Sequence, residues 1–376
     1  MLQTDPRPRY ALLDGLRGVA ALFVILYHFG EAFATSPYTQ WMNHGYLAVD
    51  FFFILSGFVI GYAYDGRWRS GMTAGNFMLR RVIRLQPMVV LAVILGAAAY
   101  VIQGSVRWDG TPMPVSMLLL SLLLGLLMLP ALPGTGADVR GNNEMFPLNG
   151  PSWSLFFEYI GSVLYAVWLH RLGKKALACV TALSAAGLCC VALGNMSGFH
   201  HIGVGWSLSD YGFAGGFVRM TFSFSAGLLM SRMFRPVRIR GAFWICASVL
   251  GAAFSVPYIG AGSMPQLNAC YDLFCTLIVF PAIVYIGASG VTTDRTSTGI
   301  CEFLGRLSYP VYIVHYPLMY LFYAWVWSNG IPFSEAWPVC AGILVASVAL
   351  AWAALRFYDT PLRESLSKRF LRGRRV

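Results

Sequence analysis

Arg17 and His28 are ionisable groups inside one apolar segment, LDGLRGVAALFVILYHF. Such groups are rare within a bilayer, where each costs roughly 2.5–3.5 kcal/mol at a helix centre on insertion scales. Their separation of eleven residues is close to three helical turns, so both side chains fall on one stripe, about 16 Å apart along the axis. A cation near one membrane face and an imidazole deep inside, on the same side of a helix, suit a path for an anionic substrate. The plainer alternative makes Arg17 an interfacial anchor and His28 a partnered polar residue.

Four further constellations combine with this pair. Arg80, Arg81 and Arg84 stand together in FMLRRVIRLQP, at the start of the third apolar span. The spacing puts Arg80 and Arg84 on one face and turns Arg81 elsewhere. Such a group can hold phosphates through forked, charge-assisted hydrogen bonds, or simply anchor the span at the membrane surface. Glu158 in PSWSLFFEYIGSVLY stacks one turn from Ser154, beside Trp153, and needs a partner: an imidazole, a hydroxyl or an arginine. In GRLSYPVYIVHYPL, Ser308, Tyr312 and His315 share a face with Tyr309 nearby, and Pro310 and Pro317 bend the helix locally. The fourth, VDFFFILSGFV, offers Asp50 as an outer cap or a functional acid, while Ser56 and Gly57 suit close helix packing. Arg219 in FVRMTFSFSAG, and Asp359 near Arg356, are candidates for halves of intramembrane ion pairs.

Several chemistries lose support. The sequence has no Gly-x-Ser-x-Gly elbow, no His-Glu-x-x-His, no Gly-x-Gly-x-x-Gly and no Walker loop. Of the eight cysteines, Cys179, Cys189, Cys190, Cys246 and Cys340 lie in apolar segments as small apolar side chains. No Cys-x-x-Cys or Cys/His ligand spacing occurs, so no metal is expected. His44, His200 and His201 fall in outer loops, where they are expected to be solvated or to meet an acceptor.

The elements that must position these residues are membrane helices. Hydrophobic residues make up 57% of the chain and charged residues 11%, with mean hydropathy +0.62. Apolar stretches run at about 12–30, 46–64, 82–102, 116–132, 152–170, 176–194, 212–231, 241–259, 270–288, 303–327 and 336–357. The net charge of +11 is spread over loop after loop, which speaks against a nucleic-acid partner. Basic residues gather at Arg7/Arg9, Arg67–Arg84, Arg171/Lys174/Lys175, Arg232–Arg240, Arg295/Arg306 and Arg363–Arg375, whereas the alternate loops hold only Arg107 and Arg140. The positive-inside rule makes the rich clusters cytoplasmic. The alternation works only if 116–132 enters and leaves on one side. The expected fold is an all-α polytopic membrane protein of about ten spans plus one re-entrant or interfacial segment, as a single domain over 1–376. Both termini are cytoplasmic in this reading, the first span is retained rather than cleaved, and no soluble domain is appended.

In order along the chain, these segments and YDTPLR resemble the acyltransferase-3 family of integral membrane acyltransferases, from residue 12 to 363. The resemblance implies that the Arg17–His28 pair is essential. It also implies an acyl-CoA donor, commonly acetyl-CoA, arriving from the cytoplasm as co-substrate, with no bound cofactor. The implied acceptor is a hydroxyl of an envelope polysaccharide or glycolipid, and the implied site is a bacterial inner membrane. Arg17, Arg80, Arg81 and Arg84 would hold the donor, His28 would act as general base, and Glu158 or another acid would orient it. Asp14, Asp50, Trp153 and Ser154 are supporting candidates, as are Arg219, Ser308, Tyr309 and His315. Phe157 stands where the family often has a second carboxylate, and Asp359 where it often has Glu. A transporter or flippase using the buried charges as a relay is the competing class.

Overall fold

Each apolar stretch becomes a helix or a broken pair of helices, because inside a bilayer the backbone must satisfy its own hydrogen bonds. The computed structural model describes residues 10–292 and 294–371. Its helices are α1 (Ala11–Glu31), α2 (Ala48–Arg69), α3 (Ala74–Ile102), α4 (Val115–Leu126), α5 (Ser152–Val167), α6 (Lys174–Leu193) and α7 (Gly212–Met233). Next come α8 (Ala242–Ser255), α9 (Gln266–Phe274), α10 (Phe280–Ser289), α11 (Arg295–Val314), α12 (Tyr316–Asn329), α13 (Phe333–Ala353) and α14 (Thr360–Leu371). Wider turns at Cys275–Val279 and Ala354–Asp359 carry α9 into α10 and α13 into α14. Strands β1 (Ile239–Arg240) and β2 (Gly290–Val291) form one short parallel pair. Among the described residues, seven helical runs are long and apolar enough to cross a membrane. The protein is an all-α, multi-pass membrane protein.

Two close crossings set the frame. A Cβ added at Gly57 of α2 would lie 2.0 Å from the Phe224 carbonyl of α7, and one at Gly227 of α7 would lie 2.0 Å from the Ile54 carbonyl of α2. Small residues on both sides bring these backbones together, the usual device where lipid offers no hydrophobic drive. Helices α1 and α11 also approach closely: a Cβ at Gly18 would meet the Leu304 carbonyl at 2.4 Å. This second crossing brings the arginine–histidine stripe of α1 against the tyrosines and histidine of α11.

The basic loops share one end of the bundle. Arg232 pairs with Asp65 at 2.6 Å and donates to the Leu172 carbonyl, tying the ends of α2, α5 and α7 together. Arg7, Arg9 and the basic residues after Leu371 lie outside the described residues. At the opposite end, Trp108 donates from its backbone to Arg140, and Arg107 reaches the Thr135 carbonyl. The chain therefore enters and leaves α4 at one end. With 12 residues, α4 is about 18 Å long, and its last carbonyl, of Leu126, accepts from Gln86 midway along α3 at 2.7 Å. The reversal is made at Met128, in the left-handed conformation with φ +54°, and not first at the prolines. Leu129 N–H bonds the Leu124 carbonyl and Met128 N–H bonds that of Gly125, the double bond of a Schellman ending with methionine in the place glycine usually takes.

Candidate active site

The stripe on α1 opens at its basic end into a cleft between α1, α2, α3, α5 and α11. Arg17, Arg81, Arg84 and Glu158 line it, with Ser56, Ser154, Ser308, Tyr309 and Tyr312. Apolar side chains, among them Phe52, Phe53, Val49 and Leu155, complete its walls. Arg17 bonds Asp14 at 3.2 Å on its own helix, and Arg84 is exposed to the cleft. Arg80 does not line it. The face that meets the cleft is thus that of Arg81 and Arg84, three apart on α3, and not that of Arg80 and Arg84; the close approach of α5 to α3 selects it.

Glu158 is bound to arginine, not to histidine. Its carboxylate takes a short hydrogen bond from Arg81 and another, at 3.0 Å, from Ser56. Ser162 accepts from Arg81 on the other side at 3.2 Å. The expected orienting of His28 by Glu158 is not what the geometry has, and Ser56 is more than a packing residue. Gly57 alone fills that part.

His28 has a different carboxylate. Its Nδ1 lies 2.5 Å from Glu31 Oε2, three residues on along α1. The Tyr323 hydroxyl donates to both the His28 carbonyl at 3.0 Å and Glu31 at 3.2 Å. With Nδ1 engaged, Nε2 has no hydrogen-bonding side chain among the described residues and is the nitrogen free for a substrate. The His28 ring stacks on His315 at 5.4 Å and meets Tyr316 edge-on at 4.8 Å. His315 sits at the break between α11 and α12, where Pro317 has no N–H to continue the ladder. It is fully buried, with Nδ1 on the Val311 carbonyl at 3.1 Å and Nε2 unpartnered. Glu31 went unnoticed in the sequence, although its three-residue spacing from His28 was a readable signal.

The remaining candidates hold the scaffold. Asp50 and Arg219, both buried, form a forked pair at 3.1 and 2.6 Å; Arg219 also binds the Val204 carbonyl and lies over Trp153. Ser308 donates to Gly305 and Tyr309 to Leu85, joining α11 to α3. Asp359 pairs with Arg363 at 3.0 Å, one turn on, rather than with the exposed Arg356. His44 and His201 are buried, not solvated: His44 holds the Val256 carbonyl at 2.8 Å, and His201 accepts from Gly203. Burial drives the His201 imidazole down to about 4, which keeps it neutral and able to accept.

A family model described as an acyltransferase domain, acyltransferase-3, matches residues 10–356. The chain belongs to that family. It is a membrane-embedded acyltransferase for groups other than aminoacyl groups. Protein 2 in picA locus of Rhizobium radiobacter is 39% identical over half of this chain and 96% of its own length. Acyltransferase MdmB of Streptomyces mycarofaciens is 26% identical over 82% of this chain and 78% of its own. No solved structure matches. Within the acyltransferase-3 pattern, Phe157 is fully buried against Trp153, Phe156 and Phe213. Phe157 is here part of an aromatic wall.

Proposed function

We propose that this acyltransferase moves an acyl group, acetyl as the leading case, from acyl-CoA to a hydroxyl on an envelope polysaccharide or glycolipid. The observation that supports this most is the pairing of two unlike sites on one helix stripe. At one end is an arginine-lined cleft suited to phosphates; at the other is a carboxylate–imidazole pair with a free Nε2.

The donor's phosphates would meet Arg17 and Arg84, with Arg81 held in place by Glu158. A guanidinium keeps its charge and offers parallel donors, which suits this task better than an ammonium. The thioester would lie toward Tyr312, at the head of the cleft. His28 Nε2 takes the proton of the acceptor hydroxyl, the oxygen adds to the thioester carbon, and the carbon–sulfur bond breaks. The departing thiolate receives the proton back from the imidazolium. Glu31 keeps the imidazole in its working tautomer and balances the imidazolium, the part an aspartate plays in a hydrolase triad. Glu158 acts on the donor side, through Arg81.

In this reading the basic end of the bundle faces the cytoplasm of a bacterial inner membrane, on the positive-inside rule. Purified protein should release coenzyme A thiol from acetyl-CoA in the presence of an envelope glycan extract, with acetyl ester appearing on the glycan. Binding without thiol release would favour a carrier over an enzyme of this donor. Cysteines introduced by Asp109→Cys and Thr135→Cys, in a cysteine-free background, should react with an impermeant reagent from the periplasmic side only.

A further inference from the structure

Tyr312 connects the two halves of the path. It lines the cleft, its ring is 5.3 Å from Phe52, and it lies 6.3 Å from the His315 ring that stacks on His28. Neither histidine lines the cleft itself.

The hydroxyl protons of the cleft can be accounted for individually. Ser56 gives its proton to the Glu158 carboxylate, Ser308 to the Gly305 carbonyl and Tyr309 to the Leu85 carbonyl. Ser154 gives its own to the Pro151 carbonyl at 3.0 Å. The 2.7 Å contact between Ser154 and Tyr312 must then be donated by Tyr312. Four protons rest on strong acceptors, a carboxylate or helix carbonyls. The fifth, on Tyr312, rests on a neutral hydroxyl, the weakest acceptor of the set and the easiest to leave.

Acyl transfer places negative charge on the thioester carbonyl oxygen, and a donor fixed there in a dry site is worth far more than in water. The arginines serve the other end of the cleft. We propose that Tyr312 is a further catalytic residue: its O–H leaves Ser154 and donates to the thioester carbonyl oxygen as the tetrahedral intermediate forms. Tyr312 keeps its proton throughout. The oxygen's negative charge returns to the carbonyl as the carbon–sulfur bond breaks, and the thiolate takes its proton from His28. This inference rests on the thioester donor and the base proposed above.

The decisive experiment breaks one hydrogen bond from each side, following thiol release from acetyl-CoA with a glycan extract as acceptor. Tyr312→Phe removes the donor and Ser154→Ala removes only its resting place. If Tyr312 stabilises the oxyanion, Tyr312→Phe lowers kcat by about 10²–10³-fold, with the KM for acetyl-CoA changed less than about threefold. Ser154→Ala then costs no more than about fivefold. Equal losses in both variants, the outcome of a merely structural bond, overturn the proposal, as does a Tyr312→Phe enzyme within threefold of wild type. Coenzyme A binding by both variants verifies their fold. Should Tyr312→Phe not fold, Tyr312→3,5-difluorotyrosine keeps ring and donor and should stay within about fivefold, whereas a Tyr312→Leu loss no larger than that of Ser154→Ala overturns the role. Wild-type protein that releases no thiol instead overturns the underlying reading of the donor.

Discussion

The two ends of the α1 stripe solve opposite problems. At the basic end, Arg17 and Glu158 remain 18% and 21% exposed and Arg84 is open to the cleft. Water and ions reach these groups, so their attraction for an anion is moderated, and a ligand can both enter and leave. At the other end, His28 is enclosed by the rings of His315, Tyr316 and Tyr27, and His315 is wholly buried. The stacked rings and the Nδ1–Glu31 bond hold the imidazole in one tautomer, while Glu31 itself is 36% exposed and meets water. Capture and chemistry are separated along one helix. The arginine end tolerates loose geometry because several cations share the work, whereas the histidine end depends on single atoms.

That contrast predicts unequal sensitivity. The largest effect should follow His28→Ala, with acyl transfer falling at least about 10³-fold while the protein remains monodisperse in detergent. Near wild-type turnover in a well-folded variant would end the base assignment. Glu31→Gln comes next: it keeps the shape but loses the charge, and kcat should drop about 10²-fold with the KM for acyl-CoA unmoved. A rise in KM instead would erase the distinction between the two ends. Arg84→Lys should do the converse, raising the KM for acyl-CoA about tenfold and changing saturated turnover little, because an ammonium cannot reproduce two parallel hydrogen bonds.

The smallest effect concerns the loop between α4 and α5, which packs beside the histidine end. Burial pushes the Glu144 carboxyl up to about 6, against the pull of the Tyr320 hydroxyl 2.5 Å away. Its folded value thus exceeds its unfolded one of 4.5. Its contribution to stability is present below pH 4.5 and lost as pH rises through 6. The loss amounts to about 2 kcal/mol at most. Between pH 4.5 and 7 the thermal midpoint of Glu144→Gln should rise relative to that of the wild type; parallel curves would remove Glu144 as the source.

Much of the molecule was legible before any fold was known, and for local reasons. Hydropathy located the helices, and the 3.6-residue period put Arg17 and His28 on one stripe without reference to any neighbour. The alternation of basic loops was enough to expect that the segment around α4 turns back, since charge bias acts on each loop independently. Glu31 was within reach of the same local rule, because a residue three positions on is a neighbour on any helix.

What the chain alone could not decide were the partners across helices. Glu158 meets Arg81, rather than an imidazole, because α5 packs on α3; Asp50 meets Arg219 because glycines draw α2 onto α7. Which arginine faces the cleft, and that Tyr312 lies between the cleft and the histidines, follow from helix rotations set by tens of weak packing contacts. Periodicity places a side chain on a face of its own helix. Only the tertiary packing determines what stands opposite, because that choice is made jointly by many residues distant in sequence.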